Sequence, residues 1–222
     1  MNQLNIKELI KGILILGLYF FLPVFLIIPF LFLKNNLLEL LLVNLLLTII
    51  FTIIYGNDLV NDFHGLKKNW KQILKTTLKY WIISLIISIL ISNIIELFHL
   101  SPNINQEENI KLLKTHPIAE YLFACLLAPI TEELVFRRSF INTTNNKHIY
   151  AIITGFLFAF VHVISSLDQG AITIVYVLTY LPLGMAFGYA YFKTKNIFGT
   201  MITHSLHNFI SLTLTLLIGG IL

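Results

Sequence analysis

Long, uninterrupted hydrophobic blocks of about twenty residues dominate this sequence, and they restrict the folds that it can adopt. Of its 222 residues, 57% are hydrophobic and only 12% are charged, whereas a soluble domain carries roughly a quarter charged residues. Blocks of this length can cross a ~30 Å hydrocarbon core as helices, and lipid cannot satisfy backbone polar groups in any open, irregular form. The sequence therefore predicts an all-α, polytopic integral membrane helical bundle rather than a soluble globular domain.

We expect about seven transmembrane helices in a single membrane domain that covers residues 1–222. The first span contains Pro23 and Pro29, which predict a kink or a break there. It continues without the small-residue site at which a signal peptide is cleaved, so we expect it to be retained. Polar connectors lie at 56–77 and 99–117. The predicted spans are 12–33, 37–55, 78–98, 118–142, 148–165, 171–192 and 196–218.

The distribution of basic residues predicts how the chain is oriented in the membrane. Lys and Arg accumulate in cytoplasmic segments. Of the 15 Lys and Arg residues, only Lys34, Lys111 and Lys114 lie in segments on one side of the predicted spans, and the rest lie on the other side. We therefore expect a multi-pass protein of the cell membrane with its amino terminus in the cytoplasm. The net charge of +4 then reflects topology. No basic patch alternates with aromatic residues, so the lipid bilayer, and not nucleic acid, is the expected partner.

Three of the predicted spans carry ionisable or strongly polar side chains, which are scarce within membranes and are functional candidates by default. The fourth span contains "TEELVFRR", the fifth "FLFAFVHV" and the seventh "MITHSLHNF". Counted at ~1.5 Å per residue from the cytoplasmic ends of the spans, Glu132, His162 and His204 lie ~17, ~21 and ~12 Å deep, respectively. These depths allow one common layer, which favours a functional site.

Helical spacing separates the roles of the two glutamates. Glu133 and Arg137 are four residues apart and can form an ion pair on one helix face. Glu132 is rotated by ~100° from Glu133 and is left free for another role. Phe158 precedes His162 by four residues, so its ring can pack against the imidazole. Taken singly, each pattern is also typical of an interfacial carboxylate, a core histidine or a hydrogen bond between helices.

Three motifs occur in order on successive polar spans and together resemble one family. They are Glu-Glu-x-x-x-Arg at 132–137, Phe-x-x-x-His at 158–162 and His-x-x-x-Asn at 204–208. This arrangement resembles the CPBP family of intramembrane proteases, named for CAAX proteases and bacteriocin-processing enzymes and also called Abi. The resemblance covers 118–212, which would be the catalytic core, and 1–117 would contribute amino-terminal membrane helices.

The resemblance implies an intramembrane endopeptidase in which a glutamate activates a water molecule. It also implies a role for each matching residue. The general base is Glu132, its partner is His162, the oxyanion is stabilised by His204 and Asn208, and a structural or substrate-orienting role falls to Glu133, Arg137 and Phe158.

The resemblance leaves metal dependence open, because such enzymes have been described both as metalloproteases and as glutamate proteases. Glu132, His162 and His204 have the donor atoms of a Zn²⁺ site with an open water position. We expect no metal, because Asn208 beside His204 is suited to an oxyanion and the sequence has no HExxH pattern.

The substrate class follows only from the resemblance. We expect a membrane-associated or lipidated peptide or protein that is cleaved at or just within the cytoplasmic leaflet. Heavy use of Leu, Ile, Asn and Lys is typical of an AT-rich bacterial genome, which favours peptide maturation or bacteriocin self-immunity. The alternatives are a non-catalytic membrane immunity or scaffold protein, and a carrier with a Glu–His proton relay. The carrier lacks the inverted repeat that many transporters contain.

Overall fold

The computed structural model describes residues 4–97, 104–170 and 172–218, and within them the chain is helical without any β-strand. This confirms the predicted all-α membrane bundle. Residues 98–103, where the third predicted span meets the connector 99–117, lie outside the described residues. The α-helices are α1 Ile6–Leu26, α2 Asn36–Ile54, α3 Gly56–Leu97, α4 Ile104–Thr115, α5 Pro117–Leu122, α6 Ala128–Glu132, α7 Lys147–Val163, α8 Ile172–Thr194 and α9 Ile197–Ile218.

Among the described residues, six helices are long and apolar enough to cross a membrane, and they correspond to six of the seven predicted spans. The remaining predicted span, 118–142, is built differently. Residues 117–140, here called the segmented helix, consist of α5, a π turn, α6, a second π turn and a short 3₁₀ turn. This element contacts α1, α2, α7, α8 and α9, so the most polar predicted span lies among the other helices.

Prolines explain why the first span is interrupted. α1 ends at Leu26, and a 3₁₀ helix, Ile28–Leu33, follows it. Pro29 lies at the start of this second helix and lacks the N–H that an α-helix would need at that position. Pro23 is accommodated inside α1. The predicted break therefore occurs at the second proline.

The predicted polar connector 56–77 is helical and continuous with the third span. α3 begins at Gly56, and Asn69 has non-helical dihedral angles (φ −130°, ψ 23°) that divide the helix. Residues 56–69, here called the arm, precede this kink. A polar segment can be helical when its charged side chains face water or find partners, which hydropathy alone does not reveal.

The arm is held against two other connectors. Asp58 forms an ion pair with Arg138, directly after the second π turn. The carboxylate of Asp62 accepts a hydrogen bond of 2.8 Å from the backbone N–H of Ile197, at the start of α9. Three connectors that are rich in basic residues therefore meet at one end of the bundle, as the predicted topology requires.

α4 lies at the opposite end of the bundle. The backbone N–H of Ile104 donates to Ser166 Oγ (3.2 Å), which follows the carboxyl end of α7. The side-chain amide of Asn105 donates to the hydroxyl of Tyr180 on α8 (3.3 Å). α4 is thus a helical cap on the end of the bundle that is remote from the arm.

Cysteine labelling of intact cells tests the orientation. In a Cys125→Ser background, a cysteine at Lys111 on α4 is expected to react with a membrane-impermeant maleimide, and a cysteine at Lys68 is expected to react only after lysis. Both lysines are exposed, so steric protection does not explain a difference. Labelling of position 68 but not of position 111 in intact cells would show that the orientation is opposite to the predicted one.

Candidate active site

Glu132 lies between two imidazoles that belong to different helices. Its Oε2 atom is 4.0 Å from Nε2 of His162 on α7 and 3.8 Å from Nε2 of His204 on α9. The same Oε2 atom is buried and has no hydrogen-bond partner. The chain therefore brings together the three ionisable side chains that the sequence placed at similar depths.

A hydrogen bond at Nδ1 of each imidazole determines that Nε2 faces Glu132. Nδ1 of His162 lies 2.8 Å from the carbonyl oxygen of Phe158, and Nδ1 of His204 lies 3.0 Å from Oε1 of Glu133. A carbonyl and a carboxylate accept hydrogen bonds, so each Nδ1 carries the proton and donates it. In the neutral imidazoles both Nε2 atoms are then acceptors that face Glu132 Oε2.

The distances within this group of acceptors allow one water molecule, lying to the side, to contact Glu132 and an imidazole together. Separations of 3.8 and 4.0 Å are too long for direct hydrogen bonds, which span roughly 2.7–3.2 Å. A polar contact of this length is typically bridged by water. A bridging water has two O–H groups to donate, one to Glu132 and one to an imidazole.

Glu133 and Arg137 form the predicted ion pair. Their side chains are fully buried, with Oε1 of Glu133 3.4 Å from Nη1 of Arg137. The guanidinium also donates to the carbonyl of Gly184 (3.3 Å) and lies 4.6 Å from the ring centre of Phe158, a cation–π contact. Since Oε1 of Glu133 also accepts from His204, the pair connects the segmented helix to α8 and α9.

A π turn explains how Asn208 is positioned. In the turn Phe123–Leu127, the N–H of Ala128 donates to the carbonyl of Phe123, five residues earlier. The next possible donor for the carbonyl of Ala124 is Pro129, which has no N–H. The side-chain amide of Asn208 donates to this carbonyl instead, at 2.6 Å. One N–H of the amide is thereby used, and the second remains for a ligand.

Aromatic and polar neighbours that the sequence analysis did not assign complete the site. The ring of Phe158 packs against His162 as predicted, with 4.3 Å between ring centres. Tyr180 of α8 covers the imidazole at 4.7 Å. His207 accepts a hydrogen bond at Nδ1 from the indole N–H of Trp81 (3.2 Å). No spacing rule links Tyr180 or Trp81 to the motifs, because both belong to other helices.

The site lies in a cavity of about 380 Å³ whose lining includes Glu132 and His204. Both residues are buried, whereas the lining residues Gln106, Asn109 and Ser211 are exposed, so the mouth is at the α4 end of the bundle. The charge pattern predicts that this end faces away from the cytoplasm. The expectation of cleavage at the cytoplasmic leaflet is therefore incompatible with the predicted orientation.

The residues present do not form a ready-made metal site. Glu132, His162 and His204 have suitable donor atoms, and their Nδ1 atoms are oriented by hydrogen bonds as those of metal ligands usually are. Within the described residues, however, no three His, Cys, Asp or Glu side chains are grouped so that they could hold an ion.

The chain is thus a helical membrane bundle in which one carboxylate oxygen without a hydrogen-bond partner lies between two imidazoles. Residues 114–210 match the family described as type II CAAX prenyl endopeptidase Rce1-like. The match covers the three motifs at 132–137, 158–162 and 204–208 and confirms the resemblance to CPBP proteases. This family implies protease activity in general terms. No curated protein and no solved structure matches the chain.

Proposed function

We propose that this protein is an intramembrane endopeptidase that hydrolyses a peptide bond with a glutamate-activated water molecule. The observation that carries the proposal is the Oε2 atom of Glu132, which is buried, lacks a hydrogen-bond partner and faces two imidazole nitrogens. Burying a carboxylate without a partner destabilises a protein. A scaffold that only binds a peptide has no need of such a group, whereas a general base must be free to take up a proton.

In the proposed mechanism the attacking water is bound between Glu132 and His162. Its two O–H groups donate hydrogen bonds to Oε2 of Glu132 and to Nε2 of His162, so that an oxygen lone pair faces the cavity. As this oxygen bonds to the substrate carbonyl carbon, Glu132 takes up the first proton. When the C–N bond breaks, Glu132 returns that proton to the leaving nitrogen, and the products are a carboxylic acid and an amine.

Asn208 and His204 are the proposed oxyanion donors. The second N–H of the Asn208 amide is available, because only one is needed for the Ala124 carbonyl. His204 already donates Nδ1–H to Glu133, so it serves as a donor from Nε2 only when both ring nitrogens carry a proton. Donors that face a developing oxyanion contribute about 2.7–4 kcal/mol each to stabilisation of the transition state.

The proposed substrate is a membrane-associated or lipidated peptide or protein, and the lipid bilayer is the other partner. An exposed polar rim at Asn109 and Ser211 suits a peptide backbone that enters from the membrane surface. Peptide maturation and bacteriocin self-immunity, in the membrane of a bacterial cell, are the proposed roles. Both require cleavage of a short peptide close to the bilayer.

Metal analysis of active, purified protein tests the proposed mechanism. Activity can be followed with a library of quenched fluorescent peptides in proteoliposomes. We expect cleavage to survive exhaustive chelation and zinc to be far below one equivalent, because no step of the mechanism uses an ion. Stoichiometric zinc, with activity lost on its removal and restored by adding it back, would make Glu132, His162 and His204 ligands. Absence of cleavage of every peptide would contradict the proposed function itself.

A further inference from the structure

A second buried carboxylate lines the same cavity as Glu132. Glu120, near the start of the segmented helix, is 2% exposed and is a lining residue. Its helix neighbours do not provide an ion pair, and within the described residues its carboxylate takes part in no hydrogen bond or salt bridge. The motifs that indicated the site do not include Glu120. A carboxylate that lines a cavity and has no cationic partner in the chain is suited to a cationic ligand.

The first π turn explains why both carboxylates face one cavity. Twelve residues separate Glu120 from Glu132, and at ~100° per residue a regular helix would place them ~120° apart. A π turn accommodates one extra residue, because its hydrogen bond spans five residues instead of four. The twelve residues then rotate the chain as eleven residues of regular helix would, so Glu120 and Glu132 differ by only ~20° after three turns. The π turn thus returns Glu120 to the face that carries the general base.

The cavity contains no cation to match this charge. All the Lys and Arg residues of the chain lie in the described residues, and none of them lines the cavity. The lining histidines have other assignments, since His162 bonds to Phe158, His204 to Glu133 and His207 to Trp81. A cation that pairs with Glu120 must therefore arrive with the ligand.

We propose that Glu120 is a specificity-determining residue that pairs with a Lys or Arg side chain of the substrate peptide. This inference rests on the proposed endopeptidase function. Twelve residues of helix correspond to ~18 Å along the axis, and an extended peptide covers ~3.3–3.6 Å per residue. The basic residue is then about five residues from the scissile bond.

The test uses peptides in which one lysine is moved stepwise through a neutral sequence, with norleucine as its uncharged counterpart. With wild-type protein in proteoliposomes, we expect kcat/KM to rise at least ~10-fold for lysine at one position about five residues from the cleaved bond. Glu120→Gln should lose the preference for lysine, so that its kcat/KM values for the lysine and norleucine peptides become equal. Glu120→Asp should retain part of it.

A matched control and a binding measurement separate this inference from the proposed function. Glu107→Gln removes an exposed carboxylate on α4 that does not line the cavity, and it should leave the lysine preference intact. If no peptide is cleaved, fluorescence anisotropy of the same peptides on Glu132→Gln, with and without Glu120→Gln, still measures the pairing. A lysine preference that depends on Glu120 supports the inference. Equal binding or cleavage of lysine and norleucine peptides at every position overturns it.

Discussion

Glu132→Gln is expected to abolish peptide cleavage and leave the protein folded and inserted in the membrane. Glutamine has the shape of glutamate but cannot accept a proton from water, and a general base typically contributes ~10²–10⁴-fold to the rate. Oε2 of Glu132 has no hydrogen-bond partner, so the substitution breaks no bond at that atom. Cleavage of the quenched peptides and the melting temperature in detergent are the two measurements.

The result is informative only if the variant remains folded. An unchanged melting temperature together with loss of cleavage identifies a catalytic role. Turnover by the purified variant at the wild-type rate would show that Glu132 is not the base. An Asn142→Asp control, at the end of the bundle remote from the cavity, tests whether a change in polar chemistry elsewhere affects cleavage.

Glu133→Gln is expected to lower the free energy of unfolding by roughly 3–5 kcal/mol, because it leaves the fully buried guanidinium of Arg137 without a counter-ion. Glutamine still offers an oxygen to His204, so part of the site geometry should persist. Denaturation in mixed detergent micelles, followed by circular dichroism, provides the measurement. Activity per folded molecule should fall less than in Glu132→Gln.

A double variant isolates the ion pair. Glu133→Gln combined with Arg137→Met removes both buried charges, so no guanidinium is left without a counter-ion. The double variant should therefore recover much of the stability that the single variant loses. If Glu132→Gln and Glu133→Gln were equally stable and equally inactive, the proposed division between a base and a structural carboxylate would be wrong.

Much of the bundle follows from properties that act locally along the chain. Hydrophobic length located six of the helices, because crossing a membrane requires about twenty apolar residues whatever the neighbours are. The i, i+4 rule also predicted the Glu133–Arg137 pair and the contact between Phe158 and His162, since both pairs lie within single turns of one helix.

The connections across the site were not predictable in this way. Glu133 and His204 are 71 residues apart in sequence, and no periodicity indicates that their side chains share a hydrogen bond. The π turn at Phe123–Leu127 has no reliable composition signature. Without that turn, a helical wheel places Glu120 ~120° away from Glu132, so spacing alone does not indicate that it lines the cavity.

The location of the cavity mouth could not be predicted from the sequence, because it depends on segments that are far apart along the chain. The charge pattern assigns sides to connectors, but it does not say towards which side a buried site opens. The exposed rim at Asn109 and Ser211 provides that information, because these residues lie on α4 and near the carboxyl end of α9. The leaflet at which the site opens therefore does not follow from the charge pattern alone.

The dependence of the first π turn on α9 has a consequence for biosynthesis. The carbonyl of Ala124 receives its side-chain hydrogen bond from Asn208, and α9 is the last of the described helices to leave the ribosome. Until α9 docks, this carbonyl lacks that donor, and an unsatisfied backbone group within lipid is costly. This turn therefore acquires its side-chain hydrogen bond only when α9 docks, in the same step that brings His204 to Glu132. A chain without α9 thus lacks both proposed oxyanion donors, so the proposed active site is assembled only after α9 has been synthesised.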